Sequence, residues 1–379
     1  DRDLNMRMMN RIEAIPLESM RVGMRWDWET FPEYMDSLDK QGLGVNVGAL
    51  VPFSPMRGYV LGMVPARERT SVTEAELNEM KQIMHDGMKA GAFGISADQN
   101  QEDRCEDGSP LPSHVASDEE FLAMAEVLSQ FGVGHIGHTQ GFGQTPEQHQ
   151  ALKALMKQMM KVSGRPMNLN IDEGEDPAWI QSCRAEGLPL VLQRLCSLVG
   201  QQFTLAEYNL FDYMPNWVQP LVGNPEERAA KLRDHSVRAA MKRDVESASS
   251  QLIHWSRMKV LEVVHERNHK YEGRTIQELA QMTGEHPVDA FLDLALDEGL
   301  ETEFEMLRGD TADELKLAEQ KLKDPYAHIS LSDGGAHTRF LTMSTWPVSA
   351  SWTTAGKRPS PLEKSGPSGG AVDMRWALW

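Results

Sequence analysis

The chain has 379 residues and a mass of 42.5 kDa, enough for two average domains or one large barrel. Its net charge of −18 argues against nucleic acid or an anionic membrane as a partner, because both select basic surfaces. No apolar run approaches the roughly 20 residues of a membrane span, and the charged start DRDLNMRMMN is unlike a secretory signal. With three cysteines that form no CxxC pair, the sequence predicts a soluble, cytoplasmic protein with a small-molecule partner.

Strand and helix signals alternate through the first half of the chain. Strand-like composition recurs at residues 44–53, 92–98, 132–138, 166–172 and 188–193. Two of the intervening helices begin with a capping box, Thr73 with Glu76 and Ser117 with Glu120. This βαβα order is typical of a parallel sheet or barrel.

The alternation breaks after Arg194. Residues 194–326 are predicted to be mainly helical, with helices that begin at Asn224 and at Thr275. This insertion is either a cap over one end of a barrel or a packed peripheral subdomain. The strand 328–332 follows, which brings the count to six, whereas a closed (β/α)8 barrel needs eight.

The segment from 349 to 379 differs from the chain before it. It is rich in Gly, Ser and Pro and shows neither helical nor strand periodicity. An irregular tail is predicted, and two interpretations stay open. The tail is either flexible native sequence or the product of translation out of frame after about Pro347.

One zinc-binding pattern is formally present. His265, Glu266 and His269 match HExxH, which binds zinc only on a helix, where positions i and i+4 share a face. The preceding MKVLEVV is strand-like, and the following residues run into a glycine and a new helix cap. The context therefore predicts a solvated charged turn rather than a zincin site.

The third predicted strand carries two histidines, His135 and His138. They are three residues apart, so their side chains point to opposite faces of the strand. His138 is nearer to the carboxyl end, where barrel active sites are built. We predict His138 as a candidate metal ligand, with a buried structural histidine as the alternative.

The last predicted strand leads into ISLSDGGAHTRF, residues 329–340. Ile329, Leu331 and Asp333 share one face, so the carboxylate of Asp333 is expected at the mouth of a barrel. An ordinary Asp-Gly-Gly turn is the alternative interpretation.

The residues after Asp333 suit a binding loop. Gly334 permits a sharp turn and a close approach of the backbone to a ligand. His337 and Arg339 could face the same cavity, and an arginine is suited to bidentate binding of a carboxylate. Gly334, His337 and Arg339 are therefore candidate substrate-binding residues.

Four segments together resemble a known family. Residues 26–62, 90–128 with its AGAFGISADQNQ, 271–300 and the ISLSDGGAHTRF segment resemble the N-acyl-D-amino-acid deacylases of the amidohydrolase superfamily. The likeness extends in order from about residue 1 to 347. It implies an α/β fold, the (β/α)8 TIM barrel of amidohydrolases, here incomplete within residues 1–348 because the first two strands are missing. It also implies a small flanking β-sandwich.

The resemblance implies a function as well. Family members use zinc to activate a water molecule that attacks the acyl amide of an N-acyl amino acid. Asp333 corresponds to their general base and acid. Arg339 corresponds to the position that holds the α-carboxylate of the substrate.

Several family ligands have no match in this sequence. The His-x-His pair and the Asn-Cys-Gly turn are absent, and MNLNID stands where a Ser-His motif is expected. Asp172 or His138 could replace a missing ligand. The sequence therefore predicts an incomplete zinc site and no hydrolysis by the isolated fragment. The alternative is a catalytically inactive homologue that binds an acyl ligand or a partner.

Overall fold

The computed structural model describes residues 1–44, 46–139, 145–170, 176–195, 200–206, 210–247, 253–307, 316, 319–320, 323–324 and 327–331. The first helices are α1 (Arg2–Glu13), α2 (Leu17–Gly23), α3 (Phe31–Gln41), α4 (Phe53–Leu61), α5 (Met63–Glu68), α6 (Glu74–Lys89), α7 (Pro112–Val115) and α8 (Asp118–Ser129). They are followed by α9 (Pro146–Ser163), α10 (Pro177–Ala185), α11 (Pro215–Val218), α12 (Pro225–Leu232), α13 (His235–Glu246), α14 (Ile276–Thr283) and α15 (Pro287–Asp297). The strands are β1 (Val51–Pro52), β2 (Gly94–Asp98), β3 (His135–Thr139), β4 (Met167–Asn170), β5 (Leu190–Leu195), β6 (Gly200–Phe203), β7 (Met258–Glu262), β8 (Glu303–Leu307) and β9 (Ala327–Leu331).

The main sheet has six strands in the order β1-β2-β3-β4-β5-β9, all of them parallel to their neighbours. The six predicted strands are thus confirmed as members of one parallel sheet. The first is much shorter than predicted, because Phe53 already begins α4. Among the described residues the sheet is open, with β1 and β9 as its outer strands, and no closed barrel is seen.

One apolar core joins this sheet to its helices. Ile95 of β2 and Leu169 of β4 pack in the same cluster as Met84 of α6, Phe121 of α8 and Met156 of α9. All five side chains are almost completely buried. The apolar residues Met80, Met84 and Met88 of α6 therefore belong to the surface that covers the sheet.

The predicted capping box at the start of α6 is formed. Thr73 Oγ1 accepts a hydrogen bond from the Glu76 N–H at 3.3 Å, and the Glu76 carboxylate accepts one from the Thr73 N–H at 2.7 Å. The boxes that start α3, α12 and α14 have the same arrangement. These helix starts can be predicted from the sequence, because the hydrogen bonds that define them join residues only three positions apart.

Replacing Thr73 by alanine is expected to lower the free energy of unfolding by about 1 kcal/mol, because the Glu76 N–H at the start of α6 loses Thr73 Oγ1 as its acceptor. Urea unfolding of the variant measures this loss. Thr70 is an exposed threonine three residues earlier and provides the control, since Thr70→Ala removes no cap. Equal losses in the two variants would contradict the assignment.

The insertion is not purely helical. Strands β6, β8 and β7 form a three-stranded antiparallel sheet, packed with α14 and α15 around a second apolar core. Phe291 of α15 lies at its centre, with ring centroids 4.6 Å from Phe304 and 5.7 Å from Phe211. The prediction of a mainly helical segment missed β6 and β8, which are short and lie far apart in the sequence.

The described helices differ from membrane-spanning helices. None of them combines the length and the apolar character required to cross a bilayer. The cellular compartment stays a prediction.

Candidate functional site

The two faces of the parallel sheet differ in polarity. Ile95 and Leu169 belong to the core beneath the helices. Because side chains alternate along a strand, the neighbouring positions face the opposite way. Three buried polar residues, Ser96, Asn168 and Gln193, occupy such positions on β2, β4 and β5. Ligands of parallel α/β sheets bind at the carboxyl ends of the strands, so the carboxyl end of this polar face is the candidate site.

Asp98 is the last residue of β2 and lies on the polar face, two positions after Ser96. The backbone N–H of Asn100 donates to Asp98 Oδ1 at 2.7 Å, and the side-chain amide of Asn100 donates to Asp103 Oδ2 at 3.0 Å. Asn100 thus connects the two carboxyl groups, and each of them affects the pKa of the other. Two neighbouring carboxyl groups favour a state in which one of them holds a proton, because like charges repel.

The environment stabilises that proton. Burial, followed by the charge of Asp103, raises the pKa of Asp98 well above its usual range. Burial also raises the pKa of Asp103. A carboxyl group with a raised pKa at a strand end has the property that general acid–base catalysis requires. The pair is therefore a candidate acid–base group.

Replacing Asp98 by asparagine is expected to change the pH dependence of stability. The folded wild-type chain retains a proton that the unfolded Asp98 releases above a pKa of about 3.9. Its free energy of unfolding should therefore fall as the pH rises from that value through the raised folded-state pKa. Asparagine has nearly the same shape and does not titrate. We expect a shallower pH profile and higher stability than the wild type at neutral pH.

Urea unfolding between pH 4 and 8 measures this difference. Asp36 is an exposed acid on α3, and Asp36→Asn is the matched control, expected to leave the wild-type profile unchanged. An Asp98→Asn profile parallel to that of the wild type would contradict a proton held by the pair.

Further charged groups surround the pair. Arg11 of α1 makes a buried bidentate ion pair with Asp212, with Nε–Oδ2 and Nη2–Oδ1 distances of 2.8 and 2.6 Å. The charge of Asp212 acts electrostatically on both Asp103 and Arg104. Arg11, Asp103, Arg104 and Asp212 therefore form one cluster of interacting charges. Burial, then the charge of Arg104, lowers the pKa of His114 to about 3, which leaves this imidazole neutral at neutral pH.

His138 lies on the other side of the sheet. It is fully buried on β3 and shares its strand face with Ile136, a member of the core under the helices. Its Nε2 lies 2.9 Å from Gln99 Oε1, while Nδ1 has no hydrogen-bond partner among the described residues. Burial lowers the pKa of His138 to about 4, so the ring is neutral. Its role as a metal ligand stays a prediction.

The implied zinc does not fit the residues that the structure describes. No group of three or more His, Cys, Asp or Glu side chains able to hold a metal ion occurs among them. Asp98 lies on the polar face of the sheet, whereas His138 lies on the opposite face. A zinc site therefore depends on residues outside the described part of the chain.

The HExxH segment does not form a helical metal site. Glu266–Tyr271 is a 3-10 helix, so His265 and His269 lack the α-helical turn that the motif requires. Asn268 within it donates to the carboxylates of Asp297 and Glu298. The segment is thus held by charged and polar contacts to the end of α15.

Most of the predicted site lies outside the described residues. These positions are Asp172, Asp333, Gly334, His337, Arg339 and the tail from 349. Asp98 and Asp103 were not among the residues predicted from the sequence. The available signal was an acid at the carboxyl end of GISAD, the same signal that singled out Asp333.

Comparisons with known proteins identify relatives that share 27% sequence identity with this chain. No family model matches the sequence. Uncharacterized proteins of Mycobacterium tuberculosis and Mycobacterium bovis are each 27% identical over 365 residues, covering 88% of this chain and 57% of the relative. The chain therefore spans a little over half the length of these curated relatives.

A characterised enzyme matches a shorter part of the chain. A D-aminoacylase of Alcaligenes xylosoxydans xylosoxydans is 27% identical over 130 residues, which is 34% of this chain and 24% of the enzyme. A D-aminoacylase structure that addresses the role of the binuclear metal centre covers 79% of this chain and 50% of its own, with 15% identity and a TM-score of 0.43. Another, at 16% identity and a TM-score of 0.42, defines a novel subset of amidohydrolases. The sequence similarity to a D-aminoacylase thus covers about a third of the chain, and the structural overlays are too distant to assign individual residues.

Proposed function

We propose that the chain is part of an amidohydrolase-type hydrolase that removes the acyl group from N-acyl amino acids, with preference for the D enantiomers. The observation that carries the proposal is the sequence similarity to a D-aminoacylase. A parallel sheet with a polar face and a carboxyl pair at one strand end is consistent with it. The activity of the whole protein is proposed on this basis.

Asp333 is the proposed general base. It follows the end of β9 at Leu331 by two residues, and β9 pairs in parallel with β5. Its carboxylate takes a proton from the water that attacks the acyl carbonyl, a C–O bond forms and the C–N bond breaks. The same proton then passes from Asp333 to the leaving amine. Arg339 is proposed to hold the α-carboxylate of the substrate as a bidentate ion pair.

The zinc that the family resemblance implies stays a prediction, together with Asp172 and His138 as its ligands. Gly334 and His337 are proposed to contact the substrate from the loop that contains Asp333.

The proposal is tested with the protein expressed from its complete reading frame. N-Acetyl-D-methionine and its L enantiomer are supplied separately, and free methionine is quantified by liquid chromatography. We expect release from the D enantiomer at a higher kcat/KM than from the L enantiomer. Absence of release from either enantiomer, with calorimetric binding of the D enantiomer retained, would instead support an inactive acyl-binding homologue.

A further inference from the structure

A row of polar positions crosses the parallel sheet near the carboxyl ends of its strands. The backbone register aligns one residue on each of five neighbouring strands, namely Asp98, Thr139, Asn170, Gln193 and His328. Positions that are aligned across parallel strands share one face of the sheet. The row therefore extends the polar face from Asp98 on β2 to His328 on β9.

Gln193 is enclosed within this row although its side chain is polar. Its exposed fraction is 3%, and the preceding residue, Leu192, belongs to the apolar core beneath the helices, so Gln193 is directed to the polar face. Its Oε1 atom accepts no hydrogen bond from any of the residues that the structure describes. A buried acceptor without a donor destabilises a fold, and its retention calls for a functional explanation.

Gln193 also lies next to the strand that leads to the proposed base. It is aligned with His328 of β9, and neighbouring strands of a sheet are about 4.8 Å apart. Strand β9 ends at Leu331, two residues before Asp333. Gln193 is therefore placed near the carboxyl end of the sheet, where parallel α/β sheets bind their ligands.

The N-acyl amino acids proposed as substrates carry few hydrogen-bond donors. When the amino acid is apolar, the carboxylate and the acyl carbonyl only accept hydrogen bonds at neutral pH, and the amide N–H is the single donor. The Oε1 atom of Gln193 offers the complementary group, an acceptor that is already desolvated. An ester with the same acyl group has an oxygen atom in place of the N–H and leaves this acceptor unpaired.

We propose that Gln193 Oε1 accepts a hydrogen bond from the amide N–H of the substrate and makes the site selective for amides over esters. The inference rests on the function proposed above and adds the substrate class to it. A site with a buried polar group for one atom of its substrate discriminates against an analogue that lacks this atom, because the polar group then stays unpaired.

Two ligands of nearly the same shape test the proposal. They are N-acetyl-D-methionine and its ester analogue, the acetate ester of the hydroxy acid that corresponds to D-methionine. Binding of each is measured by titration calorimetry in the Asp333→Asn variant, in which neither ligand should be cleaved. We expect the amide to bind roughly tenfold more tightly than the ester.

Gln193→Met in the same background removes the acceptor and keeps the length of the side chain. It should reduce the affinity for the amide by roughly tenfold and change the affinity for the ester by less than about twofold. Thermal unfolding should show a Tm no lower than that of the Asp333→Asn parent, because methionine replaces a buried polar group that has no partner. A glutamine with a purely structural role would instead give a lower Tm.

The matched control is Gln202→Met. Gln202 is a glutamine of β6 in the antiparallel sheet, where its amide donates to Glu305 at 3.1 Å. Its substitution should leave both affinities unchanged. Equal affinity of the parent for amide and ester, equal losses for the two ligands in Gln193→Met, or no binding of the amide would each overturn the proposal. Because this readout is binding, release of methionine by the wild type would still support the proposed function in each of these cases.

Discussion

Replacing Arg57 by alanine is expected to lower the free energy of unfolding by about 3–5 kcal/mol, because the change leaves a buried carboxylate without its cation. Arg57 of α4 and Glu120 of α8 are both fully buried. Their Nε–Oε2 and Nη2–Oε1 distances are 2.6 and 3.2 Å. Arg57 also donates to the carbonyl groups of Ala66 and Arg69, so its loss removes partners from both α5 and the segment after it.

Glu120 makes the effect larger than that of an ordinary ion pair. Its Oε1 also accepts from the Ser117 N–H at 2.9 Å, so one carboxylate both caps α8 and connects this helix to α4. Arg69→Ala is the control, because Arg69 pairs with Glu76 in partly exposed surroundings, where a pair contributes about 0.2–1 kcal/mol. Urea unfolding measures both variants. A loss in Arg57→Ala no larger than that in the control would contradict the assigned role.

Replacing Asp333 by asparagine is expected to reduce kcat for an N-acyl-D-amino acid by roughly 10²–10⁴-fold, the usual contribution of a positioned general base. Asparagine has nearly the same shape but cannot accept the proton of the attacking water. If Arg339 holds the substrate, KM should change little, because the ground-state contacts remain. Initial rates over a range of substrate concentrations separate these two effects.

Two further substitutions make this test specific. Asp36→Asn changes an exposed acid on α3 and should leave kcat unaltered. Arg339→Lys should raise KM more than it lowers kcat, since lysine cannot form the bidentate contact. Wild-type kcat in Asp333→Asn would exclude Asp333 as the base and direct attention to the Asp98 and Asp103 pair.

The helices packed on the parallel sheet could be predicted closely from the sequence, because their start signals and apolar patterns are local. The capping box of Thr73 with Glu76 and the apolar positions Met80, Met84 and Met88 predict a start and a buried face, and α6 has both. The antiparallel sheet of the insertion was missed for the opposite reason. Its strands β6 and β8 are joined by pairing across about a hundred residues, and no local pattern records such a contact.

The candidate site shows the same contrast. Asp98 lies at a strand end and could have been selected by position alone, but its pairing with Asp103 depends on the path of the intervening loop. The alternation of side chains along a strand correctly places His138 and His135 on opposite faces of β3. It does not say which of the two faces the helices cover. The structure shows that Ile136, on the face of His138, packs under the helices.

The most direct measurement of the central claim uses water labelled with oxygen-18. The protein from its complete reading frame is incubated with N-acetyl-D-methionine in this water, and both products are analysed by mass spectrometry. Hydrolysis of the acyl amide predicts one labelled oxygen in the released acetate and none in methionine, with formation of both products lost in Asp333→Asn. Failure to form free methionine, or acetate without the label, would contradict an acyl-amide hydrolase.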